Sequence, residues 1–101
     1  MEILSIQSAV QQGRLFFTEH AIRQMAKHDI MDGEVREAIL SGEIIEEYPE
    51  DKYGPSCLVY GHTQHTRPLH VQCSLPPRVR VITVYQPDPE EWIGNRQRRR
   101  K

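Results

Sequence analysis

The 101-residue sequence is short of the features that membrane, secreted and metal-binding proteins depend on. No apolar run approaches the ~20 residues that span a bilayer. The opening Met1-Glu-Ile-Leu-Ser5 has neither the basic stretch nor the long apolar segment of a secretion signal, so a cytoplasmic location is expected. Cysteine is scarce: Cys57 and Cys73 are the two in the chain, and in a reducing compartment both are expected as buried free thiols. Together with His62, His65 and His70 they supply zinc-type donors. The spacing argues against a zinc site, because there is no Cys-x-x-Cys pair, the first two histidines fall in an expected loop, and the cysteines fall on apolar faces. No metal and no cofactor is assigned. Repeats are absent, and so is low complexity apart from the last six residues.

Net charge is also small, at −1, but it is unevenly spread. Five of the 13 basic residues lie in Arg96-Gln-Arg-Arg-Arg-Lys101, and all 14 acidic residues precede them. Residues 1–95 are therefore acidic and residues 96–101 form a basic tail. Such a tail can hold a phosphate backbone by releasing counterions, or it can be a disordered, solubilising end. Without an interleaved aromatic the second reading is preferred. The length fits one domain, assigned to residues 1–95.

Periodicity divides that domain in two. Ile3, Ile6, Ala9 and Val10 are spaced for a helix over Glu2–Gln12, stopped by Gly13. Leu15-Phe16-Phe17 reads as an extended connector. Thr18 is an N-cap and Glu19 a first-turn carboxylate for a second helix reaching Lys27 or His28. Ala21, Ile22, Met25 and Ala26 are its expected buried stripe, and His20, Arg23 and Lys27 its cationic side. A third helix, Glu34–Ser41, turns Val35, Ala38 and Ile39 inward and is capped by Gly42.

From Glu43 the period becomes that of strands, expected at Glu43–Glu47, Cys57–Gly61, Arg67–Cys73 and Val79–Tyr85. Tyr48–Ser56 and Leu75–Arg78 are proline-bearing turns, and Gly61–Thr66 is a hairpin connection. Alternation places Leu69, Val71 and Cys73 on the core face of the third strand and His70 and Gln72 on the other. In the last strand two registers compete. With Ile82 and Val84 inward, Thr83 and Tyr85 emerge beside His70; with Val79 and Val81 inward, they do not. Asp88-Pro-Glu-Glu-Trp92 is expected to form a short helix that folds Trp92 onto the sheet. Helices followed by strands predict an α+β fold, the N-terminal helices on one face of a mostly antiparallel four-stranded sheet.

Several blocks in order carry a resemblance. Phe17-Thr-Glu-His-Ala21, Met25–Ile30, Gly42-Glu-Ile-Ile45, Pro55-Ser56, Pro68-Leu-His-Val71 and Val81-Ile-Thr-Val-Tyr-Gln-Pro-Asp-Pro89 with Trp92 resemble a small bacterial domain of unknown function, the family numbered forty-two fifty-eight. That family is similar to the RelE/ParE and BrnT toxins and is grouped with metal-independent ribonucleases of the barnase, colicin and RelE fold. The resemblance implies a toxin-like protein paired with a zinc-finger or helix-turn-helix antitoxin. The matched polar positions are His20, His70 and Tyr85. Where relatives commonly carry arginines around the methionine of the second helix, this chain has Gln24 and His28, which weakens a phosphate clamp there.

Cleaving RNA without metal requires the 2′-hydroxyl as nucleophile, a base, an acid and cations for the phosphorane. Two histidines suit these roles because a free imidazole titrates near ~6.5. His70 is the expected base, His20 the expected acid or phosphate donor at a helix N-terminus, and Tyr85 a donor to a phosphoryl oxygen. Arg23, Lys27, Arg67, Arg80 and Thr83 are the expected substrate contacts. The competing expectation is a non-enzymatic protein- or nucleic-acid-binding module, favoured by the acidic body.

Overall fold

A computed structural model describes residues 1–52 and 54–100; Tyr53, in the expected Tyr48–Ser56 loop, and Lys101, at the end of the basic tail, lie outside the described residues. The chain runs α1 (Ile3–Gln11), β1 (Leu15–Phe17), α2 (Glu19–His28), α3 (Asp32–Leu40), β2 (Glu43–Tyr48), β3 (Ser56–His62), β4 (Pro68–Ser74), β5 (Val79–Tyr85), β6 (Trp92–Ile93) and β7 (Gln97–Arg98). This is an α+β fold, as expected. Among the described residues no helix is long and apolar enough to cross a membrane.

Each helix begins and ends for a local reason. In α1 the buried residues are Ile6, Ala9 and Val10, and Gly13 turns the chain at φ +79. Thr18 caps α2, its Oγ1 accepting from the Ala21 amide at 3.1 Å and donating to the Ile82 carbonyl at 3.1 Å. Asp29, left-handed at φ 54, closes it. Of the stripe expected on α2, Ala21 is fully buried, Met25 is partly so, and Ile22 and Ala26 are exposed. Helix α3 begins two residues before the expected Glu34, because the Glu34 carboxylate accepts from the Met31 amide at 2.9 Å. Its Val35, Ala38 and Ile39 are fully buried.

The sheet has five strands, in the order β1-β5-β4-β3-β2, and is mixed. The expected four antiparallel strands are present, but Leu15–Phe17 is an edge strand and not a connector. It pairs parallel to β5, Leu15 beside Val79 and Phe17 beside Val81. A three-residue run is too short to announce itself by alternation, and its partner is supplied by the far end of the chain. The helices cover the face bearing Leu69, Val71 and Cys73. Cys57 and Cys73 are directly opposed across β3 and β4, free and buried within that core. Helix α3 approaches β3 so closely that a Cβ on Gly61 would lie 1.8 Å from the Ala38 carbonyl oxygen.

Both registers weighed for the last strand occur. A bulge at Ile82 separates Cys73 opposite Val81 from Gln72 opposite Thr83. Val79, Val81 and Val84 therefore all reach the core, while Thr83 and Tyr85 pair with Gln72 and His70. The helix expected over Asp88–Trp92 is reduced to a single turn, with the Glu91 and Trp92 amides bonded to the Asp88 carbonyl at 2.9 and 3.0 Å. The chain then reverses through Gly94 (φ 57) and Asn95 (φ 63), so that the segment expected as a free basic tail pairs back on Trp92–Ile93 through Gln97–Arg98. Trp92 does fold onto the sheet, at 3 % exposure.

Candidate functional site

The face of the sheet away from the helices is polar, and cross-strand pairing decides which groups meet on it. Tyr60 of β3 lies opposite His70 of β4, which lies opposite Tyr85 of β5. The Tyr85 hydroxyl is 3.2 Å from His70 Nδ1, and His70 Nε2 is 2.6 Å from the Asn95 backbone carbonyl. A carbonyl can only accept, so Nε2 carries the hydrogen and Nδ1 accepts from the phenol. The Trp92 ring stands edge-on to His70, centroids 4.4 Å apart. His70 is 0 % exposed. Burial lowers its pKa, with the Asn95 carbonyl opposing, and burial raises that of Tyr85.

Beside this pair, Glu46 of β2 accepts from the Tyr48 hydroxyl and from Arg98 Nε at 2.9 Å. Burial pushes Glu46 up, but the bonds from Arg98 and Tyr48 outweigh it and hold the carboxyl below its usual value. Burial and the Glu46 bond push Tyr48 up to about 12. Asp51 Oδ2 accepts from Ser56 at 2.8 Å, and Gln72 Nε2 donates to Ser56 Oγ at 3.2 Å. Tyr48, Asp51, Gln72 and Arg98 line a shallow depression of about 370 Å³.

The expected site residues divide into three groups. His70 and Tyr85 are brought into contact, but the two-histidine arrangement is not assembled. His20 is exposed and lines a different pocket, of about 350 Å³, with Thr18, Ser74, Arg80 and Ile82. As expected base, His70 offers a ligand no free nitrogen in this structure: the C-terminal hairpin covers it and both ring nitrogens are engaged. Arg67 is likewise committed to the fold. It donates to the carbonyls of His28 and Asp29 at 2.8 Å each, and to Gln86 at 3.1 Å, with Glu34 at 3.6 Å. It therefore closes the C-terminal end of α2 and is not an open substrate contact. Arg23 pairs with Glu19 along α2 at 3.3 Å, and Lys27 is exposed on the same helix. Thr83 is half-buried on the polar face, opposite Gln72.

The pocket around His20 has neighbours that periodicity did not single out. Phe16 stands in register with Arg80, is 39 % exposed, and carries the Arg78 guanidinium 4.8 Å above its ring. An exposed aromatic with one arginine over its ring and another in register beside it, the latter shared with the His20 pocket, is a pattern suited to single-stranded nucleic acid. Its clue in the sequence was an apolar triplet in which the middle residue must face away from the core if the outer two face it. Asn95 escaped because its role depends on the hairpin, and Trp92, expected on the sheet, is set against His70 by the same turn. Glu46 and Tyr48 escaped because Glu43–Tyr48 contains a bulge between Ile44 and Glu46 that disturbs alternation.

Among the described residues no three histidine, cysteine or carboxylate side chains cluster as metal ligands. No curated protein and no solved structure matches the chain. Residues 17–86, which run from the end of β1 to just past β5 and include His20, His70, Arg80 and Tyr85, match the family described as a domain of unknown function, DUF4258, and the chain belongs to that family.

Proposed function

We propose that this chain is a cytoplasmic, toxin-like component of a type II toxin–antitoxin pair, resembling RelE, that cleaves RNA at the pocket shared by His20 and Arg80 without a metal ion. The observation that supports this most is that His20 of α2 and Arg80 of β5 line one pocket, and that Phe16, in register with Arg80, carries Arg78 over its ring. Phe16 offers a face for an unpaired base, Arg78 and Arg80 offset phosphate charge, and His20 is the proton carrier within reach of a scissile phosphodiester. In the reaction His20 takes the proton of the 2′-hydroxyl as its oxygen attacks phosphorus, the bond from phosphorus to the 5′-oxygen breaks, and the leaving oxygen takes a proton from water, giving a 2′,3′-cyclic phosphate and a 5′-hydroxyl. Tyr85 and His70 position the sheet beneath and do not exchange protons with the substrate. The partner is a zinc-finger or helix-turn-helix antitoxin.

The test is expression without an antitoxin, followed by assay of purified protein on single-stranded RNA in a chelating buffer. Growth arrest and cleavage are expected, both reduced at least about 100-fold by His20→Ala, the lower end of what a positioned general acid or base supplies. Harmless expression and intact RNA would overturn the reading. The second reading, a non-enzymatic module that binds protein or nucleic acid, is favoured by one observation, the complete burial of His70. It predicts RNA or partner binding with no cleavage.

A further inference from the structure

The C-terminal hairpin is attached differently from every other element. It forms its own two-stranded sheet and adds no strand to the five-stranded one. Its direct bonds to the body are made mostly at exposed side chains. Arg96 pairs with Glu43, their side chains 60 % and 50 % exposed, and Arg98 pairs with Glu46. The Arg96–Glu43 pair, exposed on both sides, holds weakly and is screened by salt, whereas Glu46 in the second pair is 23 % exposed and is also bonded by Tyr48. Further ties are the Asn95 carbonyl on His70, a long 3.4 Å bond from Asn95 Nδ2 to the Tyr60 hydroxyl, the Arg96 guanidinium 5.0 Å over the Tyr60 ring, a bond between Arg98 and Tyr48, and the Trp92 ring. The family match stops at residue 86, before the hairpin begins.

What lies beneath is not what a permanent cover would select. On the helix side the same strands present Val59, Leu69, Val71 and Val84. Under the hairpin they present Tyr60, His70 and Tyr85, three rings with hydrogen-bonding edges, and Leu58, all outside the main core cluster. His70 stands within 5.8 Å of Tyr60 and 5.3 Å of Tyr85, centroid to centroid. Planar walls bearing polar edges suit a nitrogen heterocycle better than an aliphatic side chain. The group now seated there, Trp92, is itself a nitrogen heterocycle.

We infer that the hairpin is a removable strap over a binding recess: once it lifts, Tyr60, His70 and Tyr85 receive an unpaired base of single-stranded RNA, whose place Trp92 holds in the closed form. The inference rests on the proposed action on RNA and deepens it. Lifting parts Arg96 from Glu43 and Arg98 from Glu46, and the freed guanidinium groups follow the phosphates of the entering strand while a base takes the place of Trp92. Freed from Asn95, His70 Nε2 has its hydrogen available for a base carbonyl.

Trp92 is the chain's single tryptophan, so its emission reports the strap without labelling. The full chain is titrated with a single-stranded uridylate octamer and, in parallel, with an abasic octamer of equal charge. With the uridylate octamer the Trp92 emission is expected to move to longer wavelength and saturate; with the abasic octamer it is expected to stay put. Tyr60→Leu should weaken uridylate binding about tenfold, within the worth of one base on an aromatic ring. A cooperative thermal melt of Tyr60→Leu without RNA, matching that of the unaltered chain, checks that the loss is not misfolding. Binding or cleavage with unmoved Trp92 emission would overturn the strap while leaving the RNA reading intact. The same emission shift with the abasic octamer would overturn the base recess. Absence of any RNA binding would remove both.

Discussion

At His70 the tension between burial and hydrogen bonding has a measurable consequence. Burial lowers its pKa below the ordinary value of 6.5, so the folded protein holds it neutral. Between that lowered value and 6.5 the unfolded chain binds the extra proton, and stability must therefore rise with pH across this window. Melting temperature should fall as pH drops below about 6.5, and His70→Gln should flatten that slope. Glu46, whose pKa is lowered from 4.5, gives a separate loss that begins only below its unfolded value. Circular-dichroism melts across both ranges resolve the two windows. Arg67 makes a second residue-scale case. Its two bonds to α2 carbonyls are charge-assisted, and its side chain is 27 % exposed. Arg67→Ala should cost about 2 kcal/mol in denaturant unfolding, without a direct effect on the His20 pocket.

Among the elements, the contact of α3 with β3 is the least forgiving. Gly61 exists because the helix backbone occupies the space of its side chain. Gly61→Ala must push α3 off the sheet, and a loss of about 3 kcal/mol or failure to fold is expected, against a gain of about 0.5 kcal/mol for Gly33→Ala, a helical position that meets open space. Thr18 joins two elements at once, capping α2 and bonding the bulged Ile82 of β5. Thr18→Ala should cost about 1–2 kcal/mol. Thr18→Ser, which keeps the oxygen, should recover most of it. The bulge is what lets one strand feed Val79 and Val81, and then Val84, into the core while still turning Thr83 and Tyr85 outward.

At the scale of the whole molecule, the two ends of the sequence close the structure. Helix α1 contributes Ile6, Ala9 and Val10 to the core, and β1 pairs with β5, yet the family match begins only at residue 17. A chain starting at residue 17 would uncover Val79 and Val81. It should lose its cooperative thermal transition, a result that a melt of the shortened protein would show or deny.

Much of this is legible in the residues. Helix α3 can be read because Val35, Ala38 and Ile39 recur at helical spacing, and β4 because Leu69, Val71 and Cys73 alternate with His70 and Gln72. The meeting of His70 with Tyr85 follows from one of two registers open to β5. Less legible are features whose cause lies outside the local window. Arg67 has the character of a substrate cation along the chain, and only folding brings the carbonyls of His28 and Asp29 within its reach. Phe16 has the character of a connector residue until β5 pairs with it.

The order of residues along the chain determined by itself where backbone would coil or extend and which side chains would seek the core, since those depend on neighbours a few positions away. Tertiary structure alone decided that Leu15–Phe17 joins the sheet, that His20 is parted from His70, and that the basic end lies across the polar face. Each of those outcomes depends on pairing between segments distant in sequence, where a few charged and aromatic contacts select one arrangement from several that local patterning allows.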